Sequence, residues 1–283
     1  MREFRDRVAV VTGAASGIGK AMAERFAAEG MKVVMADVEA PALDAAAREL
    51  EDKGAAVFPY RADVSKAEDV EGLAKRVFDE FGAVHLLLNN AGVGGGATLG
   101  ECTLADWQWV MGVNLWGVIH GVKYFLPRMI QQGTEAHVVN TASLAGLISG
   151  PGLAIYGVTK HAVVSLSETL FHELKLAGAK VRVSVLCPAW VNTKIMDSTR
   201  NRPDDLLNKP EEEESLPGAE AMEQVVRGLL AQGLPPSEIG QKVFEAVRDE
   251  KFYILPHPQY THMIRTRMED ILEGRDPTYT PMI

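Results

Sequence analysis

The chain is 283 residues long and 47% hydrophobic, enough to bury one large α/β core, and it shows no linker at which to divide it. A formal net charge of -9 excludes the basic face that nucleic-acid phosphates require. Cys102 and Cys187 stand far apart in no metal-ligand spacing, and no uninterrupted apolar run reaches transmembrane length, so a cytoplasmic chain with reduced thiols and no metal, membrane or nucleic-acid partner is expected.

The first predicted strand, Val8 to Thr12, runs into Gly13-Ala14-Ala15-Ser16-Gly17-Ile18-Gly19 and then into an amphipathic helix that stops at Gly30. Glycines at Gly13, Gly17 and Gly19 let the backbone turn tightly and approach a pyrophosphate, which then rests on the amides of Ser16 and Ile18 and on the positive end of the helix. The second strand, Lys32 to Ala36, leads directly into Asp37. A carboxylate there accepts the adenosine ribose hydroxyls and repels a 2′-phosphate, so NAD is the expected cofactor and NADP is disfavoured. The competing reading of Asp37 is a turn or helix-cap carboxylate.

Ala56 to Pro59 forms the third strand, and the following Asp63-Val64 places a carboxylate where it can accept the adenine amino group. The fourth, Val84 to Leu88, ends in Asn89-Asn90-Ala91-Gly92, whose small residues permit close approach of the backbone. Asn90 either bonds the adenosine side of the cofactor or ties strands together, and Asn89 is at least as much structural. A long apolar helix starting near Thr103 carries Trp107, Trp109, Asn114 and Trp116. The fifth strand, His137 to Thr141, delivers Ser143. If Gly152 to about Ala177 is helical, Tyr156 and Lys160 are i and i+4 on one face and point into the same cleft. An ammonium beside a phenol stabilises the phenolate, which makes the pair a tuned general acid or base.

The sixth strand, Val181 to Leu186, is followed by Pro188-Ala189-Trp190-Val191-Asn192-Thr193, where Trp190 is either a pocket wall or structural. From 194 to 234 the βα rhythm breaks, with Glu211-Glu212-Glu213-Glu214, several prolines and one amphipathic stretch from Ala219 to Leu230; this length suggests a substrate lid. Phe252 to Leu255 is the last strand. A tail, 256–283, shows no clear period and is expected over the site or on a neighbouring subunit; its His257 and His262 read as surface histidines. Seven strands alternating with helices predict one doubly wound, parallel seven-stranded sheet, a Rossmann fold with helices on both faces spanning 1–283 as a single domain. The strands are continuously apolar, as burial on both faces demands.

These motifs together resemble the short-chain dehydrogenases/reductases: Thr12-Gly13-x3-Gly17-Ile18-Gly19, Asp63, Asn89-Asn90-Ala91-Gly92, Asn114, Ser143, Tyr156-x3-Lys160 and Pro188 to Thr193. The resemblance implies an NAD-dependent oxidoreductase acting on a secondary alcohol or ketone. Asn114, Ser143, Tyr156 and Lys160 then form a catalytic tetrad, with Lys160 also on the nicotinamide ribose and Val191 and Thr193 on the carboxamide. Ala189 stands where the family usually has glycine, which alters the local pocket. Pocket candidates Leu144, Leu153, Ile195, Met196 and the Gly94-Gly95-Gly96 loop are apolar or featureless and favour an uncharged, hydrophobic substrate. A silent NAD-binding sensor would typically lack the tyrosine or lysine, and a nucleotide-sugar epimerase resembles a longer chain with different glycine spacing. The apolar helices near Thr103 and Gly152 carry Trp107, Val110, Val113, Trp116, Val118, Val163, Val164, Leu166, Leu170 and Phe171. With the family resemblance, they imply a homo-oligomer, a tetramer before a dimer.

Overall fold

Val8, Ala9, Val10, Val11 and Thr12 are all buried, and that double-sided burial is what the centre of a parallel sheet imposes. The structure, a computed structural model, describes residues 1–95, 98–209 and 219–282. Seven strands, β1 (Val8–Thr12), β2 (Lys32–Asp37), β3 (Val57–Arg61), β4 (Leu86–Asn89), β5 (Ala136–Thr141), β6 (Val181–Leu186) and β7 (Tyr253–Ile254), form one sheet. Their order is β3-β2-β1-β4-β5-β6-β7, and every neighbouring pair is parallel. The order reverses between β1 and β4, and such a switch point opens a ligand crevice at the carboxyl ends of the strands.

Alternate side chains of each strand feed two cores. Ala9, Val11, Val33, Met35, Leu86 and Leu88 pack on one face with Met22 and Phe26 of α1 (Gly17–Ala28) and Ile239, Val243 and Val247 of α8 (Pro236–Arg248). Val8, Val10, Val34 and Leu87 pack on the other with α3 (Ala67–Phe81) and with Phe125 and Met129 of α5 (Gly117–Gln131). Each such large apolar side chain contributes about 1.5–3 kcal/mol by leaving water. Gly240 lets α8 lie against α1, since a Cβ there would come 2.8 Å from the Ala21 carbonyl oxygen; Gly240→Val would push the two helices apart.

The other α-helices among the described residues are α2 (Ala40–Glu51), α4 (Leu104–Met111), α6 (Ala154–Leu176), α7 (Ala219–Ala231) and α9 (Thr261–Glu273), and a π-helical turn, Gly112–Trp116, lies between α4 and α5. The apolar helix starts where the sequence indicates, at a capping box of Thr103 and Asp106, but it is interrupted by that π turn around Asn114. A π turn is a frequent mark of a functional site. β4 begins at Leu86 rather than Val84, because the His85 ring turns to accept the Val8 amide at 3.2 Å. β3 runs on to Arg61, and its Pro59 is tolerated because β3 is an edge strand.

The tail holds a helix, α9, that its weak periodicity conceals: it buries Met263 while Ile271 and Leu272 stay exposed, and Gly274 ends it at φ 64°. The predicted amphipathic stretch from Ala219 is α7. Gly96 and the run Glu211 to Glu214 lie outside the described residues. Among the described residues, no helix is long and apolar enough to cross a membrane.

Candidate active site

The turn after β1 passes through Gly13 (φ 66°) and Gly17 (φ 54°), backbone that a side chain disfavours. Close approach sets the rest: a Cβ on Gly13 would lie 2.8 Å from Ala91 Cα, and one on Gly19 would overlap the Gly13 carbonyl and the Asn90 amide. Ile18 anchors the turn against the core. Ser16 makes no side-chain capping bond, and the first turn of α1 carries no acidic residue. The amides and positive dipole at this helix start therefore have no acidic residue of the helix's own first turn to neutralise them, which fits a pyrophosphate.

Asp37 closes β2 with one carboxylate oxygen accepting the Ala15 amide at 2.9 Å and the other the Glu39 amide at 3.0 Å. The turn-carboxylate role is thus real, and it leaves lone pairs for ribose hydroxyls, so the two readings coexist. Burial raises its pKa while these backbone bonds pull it down. Asp63 is committed more locally: one oxygen accepts the Ser65 amide at 3.0 Å and its hydroxyl at 2.7 Å. Val64 presses against Gly117, and its carbonyl accepts from His120 Nδ1 at 2.9 Å.

For Asn90 the strand-tying alternative is what the geometry displays. Its amide donates to the Thr12 carbonyl at 3.0 Å and its oxygen accepts from Thr141 Oγ1 at 3.3 Å, fastening the ends of β1, β4 and β5. Thr12 Oγ1 in turn takes the amides of Asn90 and Ala91 at 2.9 and 3.1 Å. Asn89 donates to Asn140 at 2.9 Å, which donates to Ser167 at 3.0 Å, so this buried chain is structural.

Asn114 and Lys160 meet beside Gly92, where a Cβ would sit 3.4 Å from Asn114 Oδ1 and 3.6 Å from Lys160 Nζ. The π turn aims Asn114 at Val93, whose amide it accepts at 2.8 Å and whose carbonyl it bonds at 3.0 Å. A polar side chain on an apolar helix is thereby satisfied. Ser143 Oγ accepts the Ala145 amide at 3.1 Å, donates to the Pro188 carbonyl at 3.3 Å and hydrogen-bonds the Tyr156 phenol. Lys160 is 3% exposed, donates to the Thr141 carbonyl at 3.0 Å and lies 5.5 Å from the Tyr156 ring centre.

The electrostatics correct one expectation. Burial pushes the Lys160 ammonium down to about 8, and desolvation raises the Tyr156 pKa, with the Ser143 bond opposing it. The predicted lowering of the phenol by Lys160 is absent, because the ammonium lies beside the ring and is spent on the Thr141 carbonyl.

Beyond β6, Val191 pairs with Leu234, and Thr193 lies against Gly17, whose Cβ would meet its methyl at 3.2 Å. The chain then crosses the mouth of the crevice. Ser198 accepts the Gly94 amide at 2.9 Å, and Arg200 and Asn201 reach Glu39 at 2.6 and 2.7 Å. Arg202 pairs with Asp106 at 2.7 Å.

Residues 7–204 match the short chain dehydrogenase family. The chain belongs to the short-chain dehydrogenases/reductases. A short-chain dehydrogenase/reductase from Burkholderia phymatum, solved in complex with NAD, is 46% identical over the whole of both chains and superposes with a TM-score of 0.96. The CLA biosynthesis dehydrogenase/reductase of Lactiplantibacillus plantarum is 34% identical, covering 98% of this chain and 97% of its own. The C alpha-dehydrogenase of Sphingobium sp. is 33% identical over 98% of this chain and 89% of its own.

In this short-chain dehydrogenase the tail packs against the segments that follow β5 and β6. Leu144, Ile148 and Met263 are buried together with Ala189, Tyr260 and Met282 packed against them. Trp190 Nε1 donates to the Met282 carbonyl at 3.4 Å, and the Tyr279 ring lies against Gly150. Leu153, Ile195 and Met196 are half-buried nearby in the chain. Sequence reasoning missed Tyr260, Met263, Met282 and Gly146; a Cβ on Gly146 would come 2.5 Å from the Lys160 carbonyl, so glycine there lets the Ser143 segment meet α6. His257 is a correction. It is 7% exposed rather than a surface residue, because both ring nitrogens are engaged by the loop after β6.

Proposed function

We propose that this protein oxidises a hydrophobic secondary alcohol to its ketone, or runs the reverse reduction, with NAD as the cofactor. The observation that carries the reading is the placement of Tyr156 against both Ser143 and Lys160, on the same carboxyl edge of the sheet where Asp37 ends β2. NAD supplies the hydride acceptor or donor when bound, held by the glycine turn, Asp37, Val191 and Thr193. Ser143 donates to the substrate oxygen. Tyr156 takes the hydroxyl proton during oxidation and returns it during reduction. Lys160 holds the ribose side, its ammonium 5.5 Å from the Tyr156 ring centre, and Asn114 serves the water relay from Lys160 that the family resemblance implies.

The apolar wall of Leu144, Ile148, Met263, Ala189 and Met282 favours an uncharged, bulky carbon skeleton, and segments 194–234 and 256–283 act as its lid and tail. A catalytically silent sensor would have no use for the complete set of Asn114, Ser143, Tyr156 and Lys160. The two cysteines are free, consistent with a cytoplasmic setting. For assembly, half of the helix residues expected at an interface, Val110, Val118, Val163, Val164 and Leu170, are buried within one chain. The tetramer reading therefore rests on what stays exposed: Trp116 and Val158 on one surface and Ile271 and Leu272 of α9 on the other. Light scattering that reports a monomer would remove it.

The decisive experiment is a panel of secondary alcohols, steroids, dihydrodiols and sugar alcohols with NAD, followed by absorbance of reduced cofactor. Turnover confined to apolar alcohols supports the reading. Turnover of none of them, or a preference for sugar alcohols, overturns it.

A further inference from the structure

We propose that His257 is a positioning residue that fixes the backbone of Ala189 and Trp190, and through it the seat of the nicotinamide; this rests on the NAD-dependent reading above. The loop between β6 and Thr193 has few anchors of its own. On one side Gly233 and Leu234 grip it: the Leu234 amide donates to the Trp190 carbonyl at 3.0 Å, and the Asn192 amide donates to the Leu234 carbonyl at 3.0 Å. On the other side His257 spans two consecutive residues. The Ala189 amide donates to His257 Nδ1 at 3.1 Å, and His257 Nε2 lies 2.9 Å from the Trp190 carbonyl.

Because a backbone amide can only donate, Nδ1 must be unprotonated, and the ring proton must sit on Nε2 and point at the Trp190 carbonyl. One neutral tautomer satisfies both bonds. The clamped loop is also the floor of the catalytic serine, since the Pro188 carbonyl accepts the Leu144 amide at 2.8 Å and Ser143 Oγ at 3.3 Å. A shift at Ala189 therefore reaches the carboxamide contacts at Val191 and Thr193 in one direction and Ser143 in the other.

Protonation would place a second N–H against the Ala189 amide and break the clamp. The charges acting on the imidazole are Lys242, which opposes its protonation, and Glu238, which favours it, both on α8; the Tyr260 ring lies 6.3 Å away. Desolvation outweighs them and keeps the ring neutral to below its ordinary 6.5. The unfolded chain takes the proton first as pH falls, so this group withdraws stability on the acid side of that value.

The test separates the nicotinamide from the rest of the cofactor. Calorimetric dissociation constants are measured on the full chain for NAD and for ADP-ribose, which keeps the adenosine, pyrophosphate and second ribose but lacks the nicotinamide. His257→Phe keeps the ring volume and loses both bonds; it is expected to weaken NAD at least about tenfold and ADP-ribose less than about twofold. His257→Asn, whose side-chain oxygen can still accept the Ala189 amide, should hold NAD within about threefold of wild type. Acidification below 6.5 should weaken NAD selectively in wild type and not in His257→Asn. Equal loss of both ligands, no loss in His257→Phe, or the same acid response in His257→Asn overturns the inference. Should His257→Phe fail to fold, the asparagine variant and the wild-type pH series decide alone. A wild-type chain that binds ADP-ribose and NAD equally well refutes the positioning role, whereas one that binds neither refutes the oxidoreductase reading itself.

Discussion

Arg200 sets its guanidinium 2.6 Å from the Glu39 carboxylate, joining the segment after β6 to the loop that follows Asp37. The pair closes a strap across the crevice, with Asn201 on the same carboxylate at 2.7 Å. On the cofactor reading proposed above, a dinucleotide bound here leaves only after the strap opens. Both side chains are partly exposed, at 38% and 27%, so the ion pair stabilises the closed strap by about 0.2–1 kcal/mol.

Glu39→Gln should therefore speed NAD release roughly two- to fivefold in stopped-flow dissociation while leaving the melting temperature nearly unchanged. The Arg200 hydrogen bond holds the Glu39 carboxyl below its ordinary 4.5. Its stabilising contribution is thus complete above that value and disappears as pH falls through the depressed pKa. Release in the variant as slow as in wild type would show that the strap is not what retains the dinucleotide.

Tyr156→Phe removes the proton-transfer oxygen and leaves the ring that packs beside Lys160. Turnover is expected to drop by at least ~10²-fold, the usual size of a general acid–base contribution. NAD affinity should stay within a few fold, because the phosphate turn and Asp37 lie elsewhere. Retained turnover would falsify the role given to the phenol.

Burial of Lys160 carries a stability cost. Its folded-state pKa near 8 lies below the ordinary 10.5, so between those values the unfolded chain holds more protons and stability rises with pH. Below 8 the buried ammonium costs a full, constant penalty. Lys160→Met should then raise stability at pH 7 by about 1–3 kcal/mol, discounted for the unpaired Thr141 carbonyl it leaves, and abolish turnover. Differential scanning calorimetry at pH 7 and pH 10 checks both halves: the advantage of the methionine variant should shrink at the higher pH.

What was legible from the sequence was local. Gly13, Gly17 and Gly19 follow a strand and open a helix, and Tyr156 and Lys160 need only one helical turn to share a face, so spacing alone placed them. Ser143 and Asn114 needed the family resemblance, because their meeting with Tyr156 depends on β5 and on a π turn that no periodicity announces. His257 was misread for the same reason, since its partners lie 68 and 67 residues away and nothing local distinguishes a clamp from a surface histidine. The tail helix was hidden by its composition: Ile271 and Leu272 are exposed, which blurs the apolar stripe that would have revealed it. The direction of the Tyr156 shift failed because burial, invisible in sequence, outweighs the Ser143 hydrogen bond, while Lys160 is turned to the Thr141 carbonyl.

Asp37→Ala tests cofactor choice. In wild type the carboxylate that accepts the Ala15 and Glu39 amides would also face a 2′-phosphate, and two like charges at that distance repel in a partly desolvated site. Removing it lifts the repulsion against NADP and forfeits the ribose bonds to NAD, each worth about 0.5–1.5 kcal/mol. Activity with NAD should fall about tenfold and activity with NADP should rise, narrowing the ratio of the two kcat/KM values by roughly two orders of magnitude. The loss of the Ala15 and Glu39 bonds loosens the phosphate turn for both cofactors alike, so it cancels in that ratio. Steady-state kinetics with both cofactors on one alcohol gives the answer. A wild-type enzyme that already prefers NADP, or a variant whose ratio does not move, would show that Asp37 only braces the turn.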